Sequence, residues 1–176
     1  TTVVLLNPGK SLADIVEEVI DVPVKVKNIY GLTIEHAIKV TIFRDDSRAK
    51  APYLVLNHGR PPNEADFAKM KRQRYPDNSR YFVSRGFVVF VPTRVGYGET
   101  GGPDVEYSGQ CNRKDYKAVY AAAADQTEAV LQQASTLPYV DLSQGIVVGQ
   151  SFGGTTAITL ATRNLSGLRG TVNFAG

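Results

Sequence analysis

The sequence predicts an α/β fold, a mostly parallel sheet with helices on both faces, preceded by an antiparallel strand pair. Three patterns carry this. Short, nearly continuous apolar runs recur at Tyr53–Leu56, Phe87–Val91, Ile146–Val148 and Thr171–Phe174, as in central parallel strands covered on both faces. Stretches with helical spacing lie between them, and strand–helix alternation implies βαβ crossovers. The first forty-odd residues have a different rhythm and read as strands, with alternating apolar and polar positions that suit a half-buried antiparallel pair.

That pair is predicted from Val22–Lys27 and Ala37–Phe43, joined by a short polar link around Tyr30-Gly31. A helix is expected between Glu64 and Gln73, carrying the basic residues Lys69, Lys71, Arg72 and Arg74 either toward an anionic substrate or simply toward water. Residues 79–85 suit a short helix stopped by Gly86. From Arg113 to about Ala134, Tyr116, Val119, Tyr120, Ala123, Val130 and Leu131 fall on one helical face. Phe152–Arg163, closed by Asn164 and Gly167, is the last predicted helix. The whole of 1–176 reads as a single domain without repeat or linker.

Composition narrows the function classes. With 43% hydrophobic and 21% charged residues the chain is neither disordered, collagen-like nor a coiled coil. A net charge of +3 without a dense Lys/Arg tract gives no nucleic-acid arm. No apolar run approaches the roughly 20 residues of a membrane span. Thr1 opens the chain with no signal-peptide pattern, although one could already have been removed. One cysteine and two histidines leave no multi-cysteine metal site, and neither metal nor organic cofactor is implied.

Gly149-Gln150-Ser151-Phe152-Gly153 carries the chemistry. A strand leads into this G-x-S-x-G run and a helix leads out, the setting of a nucleophile elbow. The turn forces its central residue into strain, so the positions two residues either side must lack bulk. Ser151 is the candidate nucleophile, and the Phe152 amide at the helix N-terminus is a candidate oxyanion donor. A second glycine run, Gly96-Tyr97-Gly98-Glu99-Thr100-Gly101, spells G-x-G-x-x-G, but no helix opens on it, so the dinucleotide reading is rejected. Tyr75, Tyr97 and Tyr107 are candidate pocket walls.

The strand at 53–56 ends in Asn57-His58-Gly59-Arg60-Pro61-Pro62, and here the chain resembles the α/β-hydrolase superfamily. The resemblance runs from about residue 22 to the end and is nearest the dienelactone-hydrolase-like and prolyl-oligopeptidase-like branches. It implies that Arg60 supplies the second oxyanion amide and that His58 is structural, not the general base. Thr93-Arg94-Val95-Gly96-Tyr97-Gly98 resembles the superfamily's Asp-x-Arg-Gly-x-Gly loop, departing from it at Thr93 and Val95. Dienelactone hydrolases proper use cysteine, so Ser151 points to an esterase- or peptidase-type relative.

The resemblance also implies an acid and a histidine after the nucleophile. The 25 residues after Ser151 hold no Asp, Glu or His. The expectation is therefore the N-terminal portion of a longer serine hydrolase acting on a small-molecule ester or amide, nearly inactive by itself; the alternative is a non-catalytic protein that keeps the fold. Peptidase or thioesterase chemistry would use the same machinery, and oligomeric state is left open. Cys111 lies in a polar, loop-like stretch, from which an exported parent and a disulfide to a cysteine beyond residue 176 are expected.

Overall fold

The computed structural model describes residues 15–176. Strand readings that fall on residues 1–14 lie outside the described residues. Strands β1 (Ile15–Lys27) and β2 (Thr33–Asp45) form a long antiparallel hairpin. Its turn is held by Asn28, whose Oδ1 accepts from the amides of Tyr30 and Leu32. Then follow β3 (Ala51–Asn57), α1 (Pro76–Ser84), β4 (Val88–Thr93), α2 (Tyr116–Ala134), β5 (Val140–Gln150), α3 (Phe152–Ala161) and β6 (Leu168–Phe174). The strand order is β1-β2-β4-β3-β5-β6, with β2 antiparallel to β4 and the four strands β4, β3, β5 and β6 parallel. The mixed sheet with helices on both faces matches the expected fold class.

Alternation along each strand assigns its side chains to one layer or the other. Tyr53 and Val55 of β3, Phe90 of β4 and Val147 of β5 pack with Val130 and Ala134 of α2 and with Ala157 and Leu160 of α3. Leu54 and Leu56, Val89 and Val91, and Val148 point the other way, onto Val83 of α1. Both sides of the central strands are thus apolar, which is why these strands read as continuous hydrophobic runs. Asp115 starts α2 by accepting from the Ala118 amide, and Pro76 starts α1 at a position where its missing N–H costs nothing.

Two expectations need correction. The 64–73 segment is not one helix but two single 3-10 turns, Glu64–Asp66 and Ala68–Met70. The Phe67 carbonyl accepts from Gly98 as well as Met70, and its ring is buried against Tyr97, so tertiary contacts divert the helical hydrogen-bond pattern. Tyr116, placed on the buried face of α2, is 53% exposed.

Candidate active site

The turn between β5 and α3 places Ser151 at φ 52° and ψ −125°, a left-handed conformation that a non-glycine residue adopts at a cost of about 1–3 kcal/mol. Its surroundings fix it there. The Ser151 amide donates to the Phe174 carbonyl at 2.7 Å, and its carbonyl accepts from Gly154 at 2.7 Å. A Cβ at Gly149 would lie 1.8 Å from the Gly153 carbonyl oxygen, and one at Gly153 would lie 2.2 Å from that of Asn57. The two glycines are therefore required by backbone-to-backbone contact, the steric reason expected of an elbow. Ser151 is exposed, and its hydroxyl has no hydrogen-bond partner among the described residues.

The loop after β3 crosses directly over this serine. A Cβ on Gly59 would come within 3.2 Å of Ser151 Cβ and 3.7 Å of its Oγ. Among the described residues neither the Arg60 nor the Phe152 backbone amide donates to a protein acceptor. An open cleft of about 370 Å3 lies in front of Ser151, lined also by Arg60, Pro61, Pro62, Tyr120, Phe152 and Thr155.

Beneath the cleft a buried network ties the loops after β3 and β4 together. His58 is fully buried; its Nδ1–H donates to the Gly59 carbonyl at 2.6 Å and its Nε2 accepts from the Arg94 amide at 3.1 Å. Arg94, also fully buried, donates from Nη1 to the His58 carbonyl at 2.8 Å and from Nε to Glu106 at 2.5 Å. Tyr97 donates its hydroxyl to Glu106 at 2.7 Å and accepts from Arg60 at 2.7 Å. Arg60 completes the set with a two-pronged pair to Asp104 at 2.8 and 2.6 Å. Such forked pairs fix orientation as well as charge.

The electrostatics follow from burial. Desolvation first, and then the Arg94 charge, hold the His58 pKa well below its ordinary value of 6.5, outweighing the Gly59 bond that acts the other way. His58 is therefore neutral, a structural residue as the resemblance implies. Burial opposes the Arg94 charge, but the charge and hydrogen bonds of Glu106 more than reverse this. Burial and the neighbouring Glu106 charge both raise the Tyr97 pKa, so its phenol stays protonated and donates.

His58 sets a pH dependence. It is neutral when folded and takes up a proton near 6.5 when unfolded, so its stability contribution is complete above 6.5 and is lost as pH falls toward the depressed folded value. The loss is at most about 1.4 kcal/mol per pH unit. Denaturant titrations at pH 7.5, 6.5 and 5.5 should show stability falling over the lower interval, with a shallower fall in His58→Gln. An equal slope in the variant would assign the effect elsewhere.

The remaining candidates are distributed differently from expectation. Tyr97 is not a pocket wall, being buried in the network, and Tyr107 lines no part of the Ser151 cleft. Tyr75 lines a separate hollow with Phe82 and Phe174. The basic segment does not border the cleft: Arg72 and Arg74 pair with Glu17 of β1, and Lys69 pairs with Asp66. Cys111 is exposed, in the loop before α2. The G-x-G-x-x-G run stays in loop, since α2 does not begin until Tyr116. Sequence reasoning missed Glu106 and Asp104, whose partners are set by loop closure, and gave Arg94 no role although it marked the run that holds it. Among the described residues no His, Cys, Asp and Glu group could hold a metal, and no helix is long and apolar enough to cross a membrane.

A mixed, mostly parallel sheet with helices on both faces and a strained serine turn after its fifth strand is the architecture of the α/β hydrolases. The dienelactone hydrolase family's model matches residues 69–176, and the chain belongs to that family. No curated protein sequence matches it. Solved structures share the fold: esterase Est22 (19% identity, TM-score 0.53) over 86% of this chain and 40% of that one, and the dienelactone hydrolase-like promiscuous phosphotriesterase P91 from metagenomic libraries (18%, 0.59) over 90% and 59%. A hypothetical protein from Pseudomonas aeruginosa aligns at 17% identity and TM-score 0.60 over 98% of this chain and 48% of its own. The chain thus spans about two-fifths to three-fifths of the length of these structures.

Proposed function

We propose that this chain is the N-terminal portion of a single-domain serine hydrolase that cleaves a small-molecule carboxylic ester through an acyl-enzyme on Ser151. The observation that carries the reading is the strained Ser151 with its free hydroxyl, in a cleft also lined by Phe152 and Arg60, whose amides are uncommitted. Ser151 Oγ attacks the ester carbonyl while its proton passes to a histidine. The amides of Phe152 and Arg60 hold the tetrahedral oxyanion, the alcohol departs with the proton, and water then hydrolyses the acyl-enzyme.

Neither histidine of the chain serves as the base. Both ring nitrogens of His58 are bonded inside the network, and His36 Nε2 is bonded to the Thr100 carbonyl at 2.9 Å. In this reading the histidine and its orienting carboxylate come from beyond Gly176, in keeping with the share of the structural relatives that the chain spans. The Arg60–Asp104 pair and the bond from Arg94 to the His58 carbonyl would keep the oxyanion loop in place during turnover.

A fluorophosphonate probe applied to the full-length protein tests this, because a base-activated serine attacks such electrophiles. Labelling is expected at Ser151 and is expected to vanish in Ser151→Ala. The 176-residue chain alone, lacking the base, should label slower by roughly 10³-fold or more. Labelling that persists unchanged in Ser151→Ala overturns the assignment, and a full-length protein that does not label favours a non-catalytic role for the fold.

A further inference from the structure

Helix α2 buries Val119, Ala122, Ala123 and Val130 against the sheet. Tyr116 and Tyr120 lie beside that face, four residues apart, where helical side chains meet. Their rings stack with centroids 5.8 Å apart and an interplanar angle of 21°. Tyr120 in turn meets the Phe152 ring at 5.4 Å and 58°. Three aromatic rings thus run in continuous contact from the residue beside the nucleophile out to Tyr116, which is 53% exposed. Single exposed tyrosines need no explanation. A row that ends at a strained, exposed serine does.

Two members of the row line the cleft. Tyr120 and Phe152 lie in its wall with Ser151, Pro61 and Pro62, and Tyr116 continues the row beyond that lining. Arg60 shares this lining, but its guanidinium is already matched by the forked Asp104 carboxylate and the Tyr97 hydroxyl. The cleft therefore combines ring faces and proline rings with a cation whose charge is internally balanced. Such a surface suits a flat, uncharged group, because aromatic pairs gain from tilted and offset contact beyond the area they bury. The hydroxyls of Tyr116 and Tyr120 have no hydrogen-bond partner among the described residues.

We propose that the row Phe152–Tyr120–Tyr116 is a substrate subsite that takes an aromatic ring carried by the ester. The proposal rests on the serine-hydrolase reading above and names its substrate class, aryl-bearing neutral esters. Phe152 and Tyr120 pack on the ring nearest the reacting carbonyl, and Tyr116 extends the platform for longer or fused rings.

The test uses the full-length enzyme with ethyl phenylacetate and benzyl acetate, each against ethyl acetate, with acid release followed by pH-stat. One arm puts the ring on the acyl side and the other on the alcohol side. For at least one arm, kcat/KM is expected to exceed that for ethyl acetate by about tenfold or more. That ratio should fall about fivefold in Tyr120→Leu, survive in Tyr120→Phe, and fall by a smaller factor in Tyr116→Ala. Tyr116→Ala changes an exposed side chain and keeps the test open if Tyr120→Leu is poorly folded. A wild-type enzyme with no aryl preference in either arm overturns the subsite, as does a ratio unchanged in the folded variants. A row that instead packs against other protein would lower melting temperature and the rates on all three esters alike, which also overturns it. Fluorophosphonate labelling separates the two readings: labelling at Ser151 without aryl preference removes only the subsite, and absent labelling removes both.

Discussion

Gly153→Val is expected to leave either no folded protein or one destabilised by more than about 4 kcal/mol, a loss confined to a few named mechanisms. The mechanism here is backbone collision. The Cβ alone would sit 2.2 Å from the Asn57 carbonyl oxygen and 2.7 Å from that of His58. Neither atom belongs to a flexible side chain that could swing aside. Both lie on the chain leaving β3, so relief requires α3 to move away from the loop that holds Gly59 and Arg60. On the serine-hydrolase reading proposed above, any partly folded survivor should then also lose its reaction with fluorophosphonate, because the loop carrying Gly59 and Arg60 is pushed away from Ser151. Gly149→Val should behave alike, its Cβ lying 1.8 Å from the Gly153 carbonyl. Gly170→Ala is the control. Its Cβ would meet only Ile146 Cγ2 at 3.8 Å, an ordinary contact, so that strand should be unchanged or more stable by up to about 1 kcal/mol. Urea unfolding of the three variants checks this. A Gly153→Val protein with wild-type midpoint and labelling rate would show that the turn is not a constrained elbow.

The elbow was legible because its constraint is local. Glycines at 149 and 153, a strand before and a helix after are all written within a dozen residues, and the structure places them as that spacing requires. The central strands were legible for a related reason: burial on both faces leaves one kind of residue along the run. Glu64–Gln73 failed through competition, since Gly98 takes the Phe67 carbonyl that a helix would use. The network beneath the site was the least legible part. Arg94 and Glu106 are twelve positions apart in polar, glycine-containing sequence, where charged residues are ordinarily solvated. Only the fold brings them together and buries both.

That pair carries the second large expectation. Glu106→Gln should destabilise the protein by roughly 3–5 kcal/mol, the usual cost of removing one member of a buried ion pair. Arg94 and Glu106 are both fully shielded from water, and the network has two guanidinium groups balanced by two carboxylates, Asp104 and Glu106. Removing the second carboxylate leaves an unpaired cation where neither water nor a pKa shift within reach can neutralise it. The amide preserves shape but not charge. Its NH2 must face either Arg94 Nε, in the Oε1 position, or both Arg94 Nη2 and the Tyr97 hydroxyl, in the Oε2 position, so in either orientation a donor meets an Arg94 donor. Arg94→Met with Glu106→Leu removes both charges and should recover much of the stability, since apolar replacement of a whole buried pair is often neutral. On the proposed serine-hydrolase reading, it should not recover fluorophosphonate labelling of the full-length protein. The Arg94 bond to the His58 carbonyl would be gone, and with it the clamp on the loop that carries the Arg60 amide. Comparing urea midpoints with fluorophosphonate labelling rates separates the two roles. A double variant restored in stability but impaired in labelling fits a pair that positions the loop. Full recovery of labelling would reduce Arg94 and Glu106 to core filling, and a Glu106→Gln protein as stable as wild type would show that the cation is not buried as described.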